Sequence, residues 1–369
     1  MRSIEGKLSD KILRAIGSKT VDRAPAYKVS TYSELMNNVS ELSYLNKDYL
    51  IFFRGQGKDY KSKIGGSTFY PSIYRDEYLS QQEINYRFDI LNEASKLLIN
   101  TFSNENIHGC EEIRRKIFIQ WSILQHYGVC HTPLLDLTHS IHVACSFAQL
   151  QSESNSSYIY LFGLPYFTNR ISINSEHDLV NIRLLSICPP DAMRPYYQEG
   201  YLVGTDDITT DYDSKTELDF KNRLIAKFKI PSGHDFWDLN FSTIPKTVLY
   251  PPNDKIDKIC KSLNINLNRK LRPGEIGEFL EVWAELEDQL LKHSKAKTDR
   301  VFSVRAAINS LANIKLIPKK FIYEIDTIRQ FRNQLVHKPK SIEPVEVKSF
   351  IDRAKKIQIQ FQNLKNFHY

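Results

Sequence analysis

The sequence predicts an α+β domain with a mixed or antiparallel sheet, followed by an all-α domain of four helices. Up to about residue 263, short runs with strand character are mixed irregularly with helical runs, which is typical of α+β proteins. Beyond Pro273 the strand signals stop and only helical periodicity remains. A chain of 369 residues is long enough for two domains that each bury a core. We expect a helical extension over residues 1–29, the α+β domain over 30–265 and the helical domain over 274–369.

Three apolar runs in the first domain predict strands. They are rich in β-branched and aromatic residues, and Gly or Pro stands at or just beyond their ends. The first run places Arg54 directly after four apolar residues and before Gly55, which is an unusual position for a guanidinium. The runs are DYLIFFRG (48–55), SSYIYLFGL (156–164) and RLIAKFKIP (223–231).

Six segments have apolar residues at helical spacing. Two lie in the first domain, and the second of these is expected to run as one helix up to Gly128, a C′ residue. The other four follow one another with short connections, which predicts a bundle. The segments are 81–102, 112–128, 275–294, 300–314, 321–338 and 343–367.

Composition restricts the function classes. The net charge of +7 permits an anionic partner such as a nucleotide or RNA, but does not require one. The N-terminus carries charges throughout, and no apolar run approaches the roughly 18 residues of a membrane span. Five cysteines at irregular spacing, without an export signal, indicate reduced thiols in a cytoplasmic protein.

Several separated motifs between residues 30 and 263 resemble those of the FRG domain, in the order that the family shows. The central motif departs from the commoner pattern, since Cys130, His131 and Thr132 stand where Pro-Thr-Arg is usual and Leu137 stands where Trp is usual. The chain therefore resembles a divergent member of the family. Membership in this family does not by itself imply a particular reaction. The motifs are FFRGQ (52–56), FYPSIYR (69–75), LQHYGVCHTPLLDLTHSIHVACSFA (124–148), SSYIYLFG (156–163), PPDAMRPYYQEGYLVG (189–204) and TVLYPPNDKIDKICKSL (247–263).

The same segments more distantly resemble ADP-ribosyltransferases. That resemblance implies that Arg54, with Gly55 and Gln56, holds the phosphates of NAD, because a guanidinium can pair two phosphate oxygens at once. It implies that Thr138 or Ser140 supplies a hydroxyl for the ribose.

In those enzymes a glutamate stands near the C-terminal strand, and here the corresponding positions are Gln198 and Glu199. A carboxylate there would stabilise the oxocarbenium-like transition state, whereas Gln198 keeps the hydrogen bonding and loses the charge. On a strand, neighbouring side chains point to opposite faces, so only one of the pair can face a given pocket.

Plainer interpretations of these residues remain open. Arg54 is also explained as a buried structural arginine paired with Asp136. Asp136 itself either caps the helix that follows or pairs with a cation. A metal site is a further alternative, although the spacing fits no standard motif and no metal is expected. Its candidate ligands are His126, Cys130, His131, His139, His142 and Cys145.

A second motif lies in the helical domain. Arg332, Asn333 and His337 form the R-N-x-x-x-H pattern, and residues 275–369 resemble HEPN domains. The resemblance implies a metal-independent ribonuclease in which His337 acts as general acid or base and Arg332 stabilises the phosphate charge. Five positions on a helix place these two side chains about 140° apart, so a site would need two chains, which predicts a homodimer. Assembly or regulation without RNA cleavage is the alternative.

These observations suggest a toxin-like or phage-defence effector from a prokaryote. The first hypothesis is an enzyme that binds an NAD-like nucleotide and transfers ADP-ribose or consumes NAD. The second is a HEPN ribonuclease with RNA as its partner. The third is a nucleotide sensor or scaffold without turnover.

Overall fold

A computed structural model describes residues 1–76, 79–206, 212, 214–238, 240–267, 271, 273–295, 303–313, 319–337, 339 and 342–365. The chain divides into two compact units, Met1–Leu263 and Asn264–Tyr369, which we call the N-terminal and C-terminal units. Within the described ranges, no helix is both long and apolar enough to cross a bilayer. All five cysteines are free thiols.

The elements follow one another in an irregular α+β order. In the N-terminal unit they are α1 (Asp10–Ile16), β1 (Tyr27–Lys28), α2 (Tyr32–Leu45), β2 (Leu50–Gln56), α3 (Gln81–Asn104), α4 (Cys110–Arg115), α5 (Ile117–His126), β3 (Leu135–Thr138), α6 (Ile141–Leu150), β4 (Ser156–Leu164), β5 (Ile171–Asn174), β6 (Leu179–Arg183), α7 (Arg194–Gln198), β7 (Gly200–Gly204), β8 (Leu224–Pro231) and α8 (Lys246–Leu249). Helix α9 (Lys255–Leu267) follows, and then α10 (Pro273–Lys295), α11 (Val304–Asn313), α12 (Lys319–His337) and α13 (Pro344–Lys365).

One eight-stranded sheet forms the centre of the N-terminal unit, in the order β1-β8-β4-β2-β3-β7-β6-β5. Strands β1 and β8 run parallel, and the other neighbours are antiparallel, so the predicted mixed sheet is confirmed. The three strands predicted from apolar runs are β2, β4 and β8, which lie side by side in the middle of the sheet. Their continuous apolar character fits a position that is covered on both faces.

The two faces of the sheet are buried in separate apolar clusters. Phe53 points to the face covered by α2 and α6, where it packs among Leu35, Ala144 and Ile159. Its neighbour Phe52 points to the opposite face, as strand alternation requires. Arg54 therefore lies on the Phe52 face.

The segment expected to form one helix over residues 112–128 is instead two helices, α4 and α5. Lys116 breaks the helix with φ −120° and ψ 101°. The break is stabilised from the next turn, because Gln120 Nε2 donates to the carbonyls of Ile113 at 2.8 Å and Arg114 at 3.2 Å. These carbonyls at the end of α4 are thereby satisfied without a continuous helix.

The predicted end of this segment at Gly128 is confirmed. Gly128 has φ +65°, and its N–H donates to the Gln125 carbonyl at 3.0 Å. The N–H of Val129 donates to the Leu124 carbonyl at 2.9 Å. This pair of hydrogen bonds is the Schellman arrangement, which favours glycine at the left-handed position.

Residues 1–29, for which a helical extension was expected, contain α1 and also strand β1. Tyr27 pairs with Phe228 and Lys28 with Lys229, so this segment adds an edge strand to the sheet.

The C-terminal unit contains the four predicted helices, α10 to α13, around a shared apolar core. Phe331 of α12 stacks on Phe350 of α13 with ring centroids 3.8 Å apart, and Phe279 of α10 meets Phe331 edge-on at 5.1 Å. The helical prediction for this region is therefore confirmed.

Candidate functional site

The sheet opens between β2 and β3. Strand β2 pairs with β4 from Leu50 to Gln56, but it shares only one register pair with β3, Phe53 with Thr138. Beyond that pair the two strands separate, and the next side chain of β2 is Arg54. The apolar run of β2 thus brings a cation to the point where the sheet divides.

Arg54 bridges this gap through the backbone of β3. Its Nη1 donates to the main-chain carbonyl of Asp136 at 2.6 Å, while its Nε is buried and makes no hydrogen bond. Burial lowers the pKa of Arg54 to about 10, the nearby Asp136 opposes that shift, and Arg75 adds to it. The guanidinium remains charged at neutral pH, and a buried donor that lacks a partner can bind an anion.

Two cavities lie against Arg54. The larger has a volume of about 800 Å³ and the smaller about 310 Å³, and Arg54 and Gln151 line both. Five of the larger cavity's lining side chains are cationic and one is acidic, so its field favours anions. These charged residues are Arg54, Lys61, Lys63, Arg75, Lys215 and Asp76.

The smaller cavity brings together three residues singled out from the sequence, namely Arg54, Thr138 and Gln198. Thr138 Oγ1 lies 3.0 Å from the Gln198 carbonyl and 3.1 Å from the Glu199 carbonyl, so the hydroxyl ties the end of β3 to the start of β7. Gln198 Nε2 donates to the Leu249 carbonyl at 2.6 Å. Both side chains therefore line the cavity and also form hydrogen bonds with the backbone around it.

Two other predicted positions, Ser140 and Glu199, lie outside both cavities. Ser140 is the N-cap of α6, where its Oγ accepts from the Val143 N–H at 3.4 Å, and it lines neither cavity. Gln198 ends α7 and Glu199 precedes β7 with φ +44°, so the expected strand at this pair is wrong. Glu199 is exposed and lines neither cavity.

The glycines beside Arg54 are required by helix packing. A Cβ on Gly55 would lie 1.8 Å from the Ala144 carbonyl oxygen, and a Cβ on Gly57 would lie 2.1 Å from the Gln151 carbonyl oxygen. Helix α6 therefore crosses β2 in backbone contact. Gln56 lines the larger cavity, where its Oε1 is buried without a hydrogen bond.

Asp136 faces the smaller cavity, and its side chain is 41% exposed there. Its carboxylate accepts a hydrogen bond from Gln125 Nε2 at 2.7 Å and lies 3.8 Å from His126 Nδ1. Burial alone would raise the pKa of Asp136, but His126, Arg54 and Gln125 together lower it below its usual value. Since Ser140 caps α6, the capping interpretation of Asp136 is wrong.

A buried hydrogen-bond network beside the smaller cavity was not predicted from the sequence. Asp254 is fully buried and accepts from Tyr127 Oη at 2.8 Å and from the N–H groups of Met193 at 3.0 Å and Arg194 at 3.1 Å. The Arg194 guanidinium lies between the rings of Tyr127 and Tyr250 and pairs with Asp257. A sequence signal for this network exists, because Tyr127, Arg194 and Asp254 lie in the motifs QHYG, MRPYY and YPPND.

The histidines and cysteines considered as metal ligands are not brought together in the described part of the chain. Within the described part of the chain, no three His, Cys, Asp or Glu side chains are placed to share an ion. His139 Nδ1 lies 3.1 Å from the Ile51 carbonyl and His142 Nε2 lies 2.6 Å from the Ser242 carbonyl, while Cys145 is in the core. Each of these residues has a separate structural contact.

In the C-terminal unit, Arg332 and Asn333 stand together on α12, and Arg332 Nη1 donates to Asn333 Oδ1 at 3.2 Å. Arg332 Nε is buried without a hydrogen bond, whereas His337 is exposed as the last residue of the helix.

The N-terminal unit is thus an α+β domain whose mixed sheet opens beside Arg54, next to a cavity lined mainly by cationic charges. Residues 50–157 match the family model described as FRG domain, and this range includes Arg54, Gln125, Asp136 and Thr138. The chain therefore contains an FRG domain. No curated protein and no solved structure matched the chain.

Proposed function

We propose that the N-terminal unit binds an NAD-like nucleotide whose phosphates lie against Arg54. The observation that carries this proposal is the position of Arg54 as a common wall of both cavities, with a buried Nε that makes no hydrogen bond. An anion beside this group would offset the unfavourable burial of the charge.

The surroundings of Arg54 support a phosphate-bearing ligand with a ring. Arg75 and Lys61 line the larger cavity together with the aromatic side chains of Tyr60 and Tyr70. Cations attract the phosphates, and an aromatic face offers a surface on which a base can stack. The volumes of about 800 Å³ and 310 Å³ are of the size that ligand sites commonly have.

A dinucleotide suits two cavities that meet at one guanidinium. Its pyrophosphate would lie beside Arg54, one nucleoside in the larger cavity and the other in the smaller, next to Thr138 and Gln198. In this arrangement the enzyme transfers ADP-ribose or consumes NAD, and it acts as a toxin-like or phage-defence effector. A nucleotide sensor without turnover would use the same contacts.

Calorimetric titration of NAD into the full chain tests the binding. We expect saturable binding by the wild type and a loss of at least about 30-fold in affinity for Arg54→Ala, since charge-assisted hydrogen bonds are lost. Arg54→Lys should also bind weakly, because an ammonium cannot form the two parallel bonds of a guanidinium. Arg14→Ala, a change on the exposed side of α1, is the matched control. Absence of NAD binding by the wild type would contradict the proposal.

A measurement of free nicotinamide separates an enzyme from a sensor. An enzyme releases nicotinamide from NAD in the wild type and not in Arg54→Ala. A sensor gives the same binding curve with no release.

The C-terminal unit supports a second candidate, a ribonuclease that uses Arg332 and His337 across a homodimer. The observation in its favour is the Arg332 guanidinium, which is held by Asn333 and keeps a buried Nε without a partner on a helix that ends in the exposed His337. RNA cleavage should then persist in EDTA, disappear in His337→Ala and be unchanged in Arg54→Ala. Cleavage that survives His337→Ala would contradict this candidate.

A further inference from the structure

The smaller cavity contains a single carboxylate among its described lining residues. Among the described residues that line this cavity, Asp136 is the only acid. It stands two positions before Thr138 on β3, so strand alternation turns both side chains to the same face of the sheet. Both side chains line the smaller cavity.

The carboxylate is held from behind. Gln125 donates to it from Nε2, and the other amide atom, Oε1, accepts from the Thr132 hydroxyl at 2.5 Å and lies 3.4 Å from Ser72 Oγ. Because these bonds fix the orientation of the amide, Gln125 presents its N–H to Asp136 and not its oxygen. Asp136 is thereby positioned before any ligand arrives.

The charge of Asp136 is also fixed. Its carboxylate lies 3.8 Å from His126 Nδ1, and the Arg54 guanidinium donates to the carbonyl of the same residue. Both groups favour the ionised form. An anion held at this point of the cavity stabilises positive charge that develops beside it.

We infer that Asp136 is the catalytic carboxylate for cleavage of the bond between nicotinamide and ribose. The inference rests on the proposed binding of an NAD-like nucleotide. It gives Asp136 the role that the sequence had suggested for Gln198 or Glu199. Gln198 carries no charge and its amide bonds to Leu249, while Glu199 is exposed and lines neither cavity.

The proposed reaction is the cleavage of an N-glycosidic bond. The bond between C1′ of the ribose and the ring nitrogen of nicotinamide breaks, and its electron pair stays on the nitrogen, which gives neutral nicotinamide. Positive charge develops on C1′ and the ring oxygen, opposite the Asp136 carboxylate. The oxygen of water, or the nucleophile of a target, then bonds to C1′ and its proton passes to Asp136 and on to solvent. Carboxylates stabilise oxocarbenium-like transition states of this kind in glycoside hydrolysis.

The test compares NAD binding and nicotinamide release in Asp136→Asn. Asparagine keeps the size and a carbonyl oxygen for Gln125 but removes the charge. We expect NAD affinity within about threefold of the wild type and nicotinamide release lower by about 100-fold or more, as when one transition-state contact is lost. Asp48→Asn, on the exposed turn before β2, is the matched control.

Asp136→Glu is a second variant, for the case that Asp136→Asn does not fold without the negative charge. It keeps the carboxylate and displaces it by one methylene, so release should fall by about tenfold while the protein remains folded. Release within about twofold of the wild type in either variant would overturn the inference.

The wild type distinguishes the two proposals. Wild-type protein that binds NAD and releases no nicotinamide would overturn the role of Asp136 and leave the proposed binding intact. Wild-type protein that does not bind NAD would overturn both.

Discussion

The Arg54 guanidinium donates to the main-chain carbonyl of Asp136 at 2.6 Å, across the opening where β2 and β3 separate. This contact does not use the Asp136 carboxylate, which accepts from Gln125. The cation is therefore held to the backbone of the neighbouring strand while the anion faces the smaller cavity. The two charges lie in one cleft without forming a direct ion pair.

This geometry bears on the two interpretations of Arg54, a structural arginine and a ligand-binding one. A structural arginine can have its donors satisfied by a carboxylate, as Arg353 does with both oxygens of Glu324 at 2.5 and 3.1 Å. Arg54 instead has one bond to a carbonyl and a buried Nε without one. Such an arrangement is suited to receiving an anion.

Gly55→Ala should strongly destabilise the N-terminal unit. The new Cβ would meet the Ala144 carbonyl oxygen at 1.8 Å, and because that atom belongs to helix backbone, α6 would have to move. We expect a loss of about 3 kcal/mol or more in the free energy of unfolding, measured by urea denaturation. Gly233→Ala is the control, since Gly233 has open space around it. An unchanged midpoint for Gly55→Ala would show that α6 does not cross β2 as described.

Asp254→Ala should destabilise the same unit through unsatisfied donors. Asp254 is fully buried and receives hydrogen bonds from Tyr127, Met193, Arg194 and the Asp257 N–H. Their loss should cost about 3 kcal/mol or more in the free energy of unfolding, measured by urea denaturation. Asp48→Ala, at an exposed position, should change that free energy little. Equal free energies of unfolding for Asp254→Ala and Asp48→Ala would contradict the stabilising role of the hydrogen bonds to Asp254.

The stabilising effect of the Asp136 charge should depend on pH. The groups that face it, His126, Arg54 and Gln125, lower the pKa of this carboxyl in the folded protein. A group with a lowered pKa contributes stability that is present above its usual pKa, about 4, and is lost as the pH falls further. The difference in free energy of unfolding between the wild type and Asp136→Asn should therefore be largest at neutral pH and shrink below about pH 4. Urea denaturation over this range measures it, and a difference that grows in acid would contradict the assignment.

The secondary-structure elements that could be predicted are those with a clear pattern within their own sequence. Strands β2, β4 and β8 are continuous apolar runs at the centre of the sheet, and the helices of the C-terminal unit have strong amphipathic periodicity. Strands β5 and β6 were not predicted, because they are short and lie at the edge of the sheet, where pairing with each other and with β7 holds them. The break at Lys116 depends on the Gln120 side chain one turn later, which a periodic pattern cannot show.

Only part of the candidate site could be predicted, because some of its features are local in sequence and others depend on tertiary contacts. A guanidinium at the end of an apolar strand can be recognised in the sequence, so Arg54 could be predicted as a site residue. The role of Gly55 depends on the approach of α6, which is a tertiary contact. The position of the Asp136 carboxylate depends on Gln125, whose amide is oriented in turn by Thr132 and Ser72 from other segments of the chain.

Phosphorus NMR of NAD in the presence of the full chain tests most directly whether Arg54 holds phosphate. The pyrophosphate resonances should shift or broaden on addition of the wild type and return to their free positions with Arg54→Ala, while Arg14→Ala behaves as the wild type. Resonances that respond equally to the wild type and Arg54→Ala, or to neither, would contradict the assignment of Arg54 as the phosphate-binding residue.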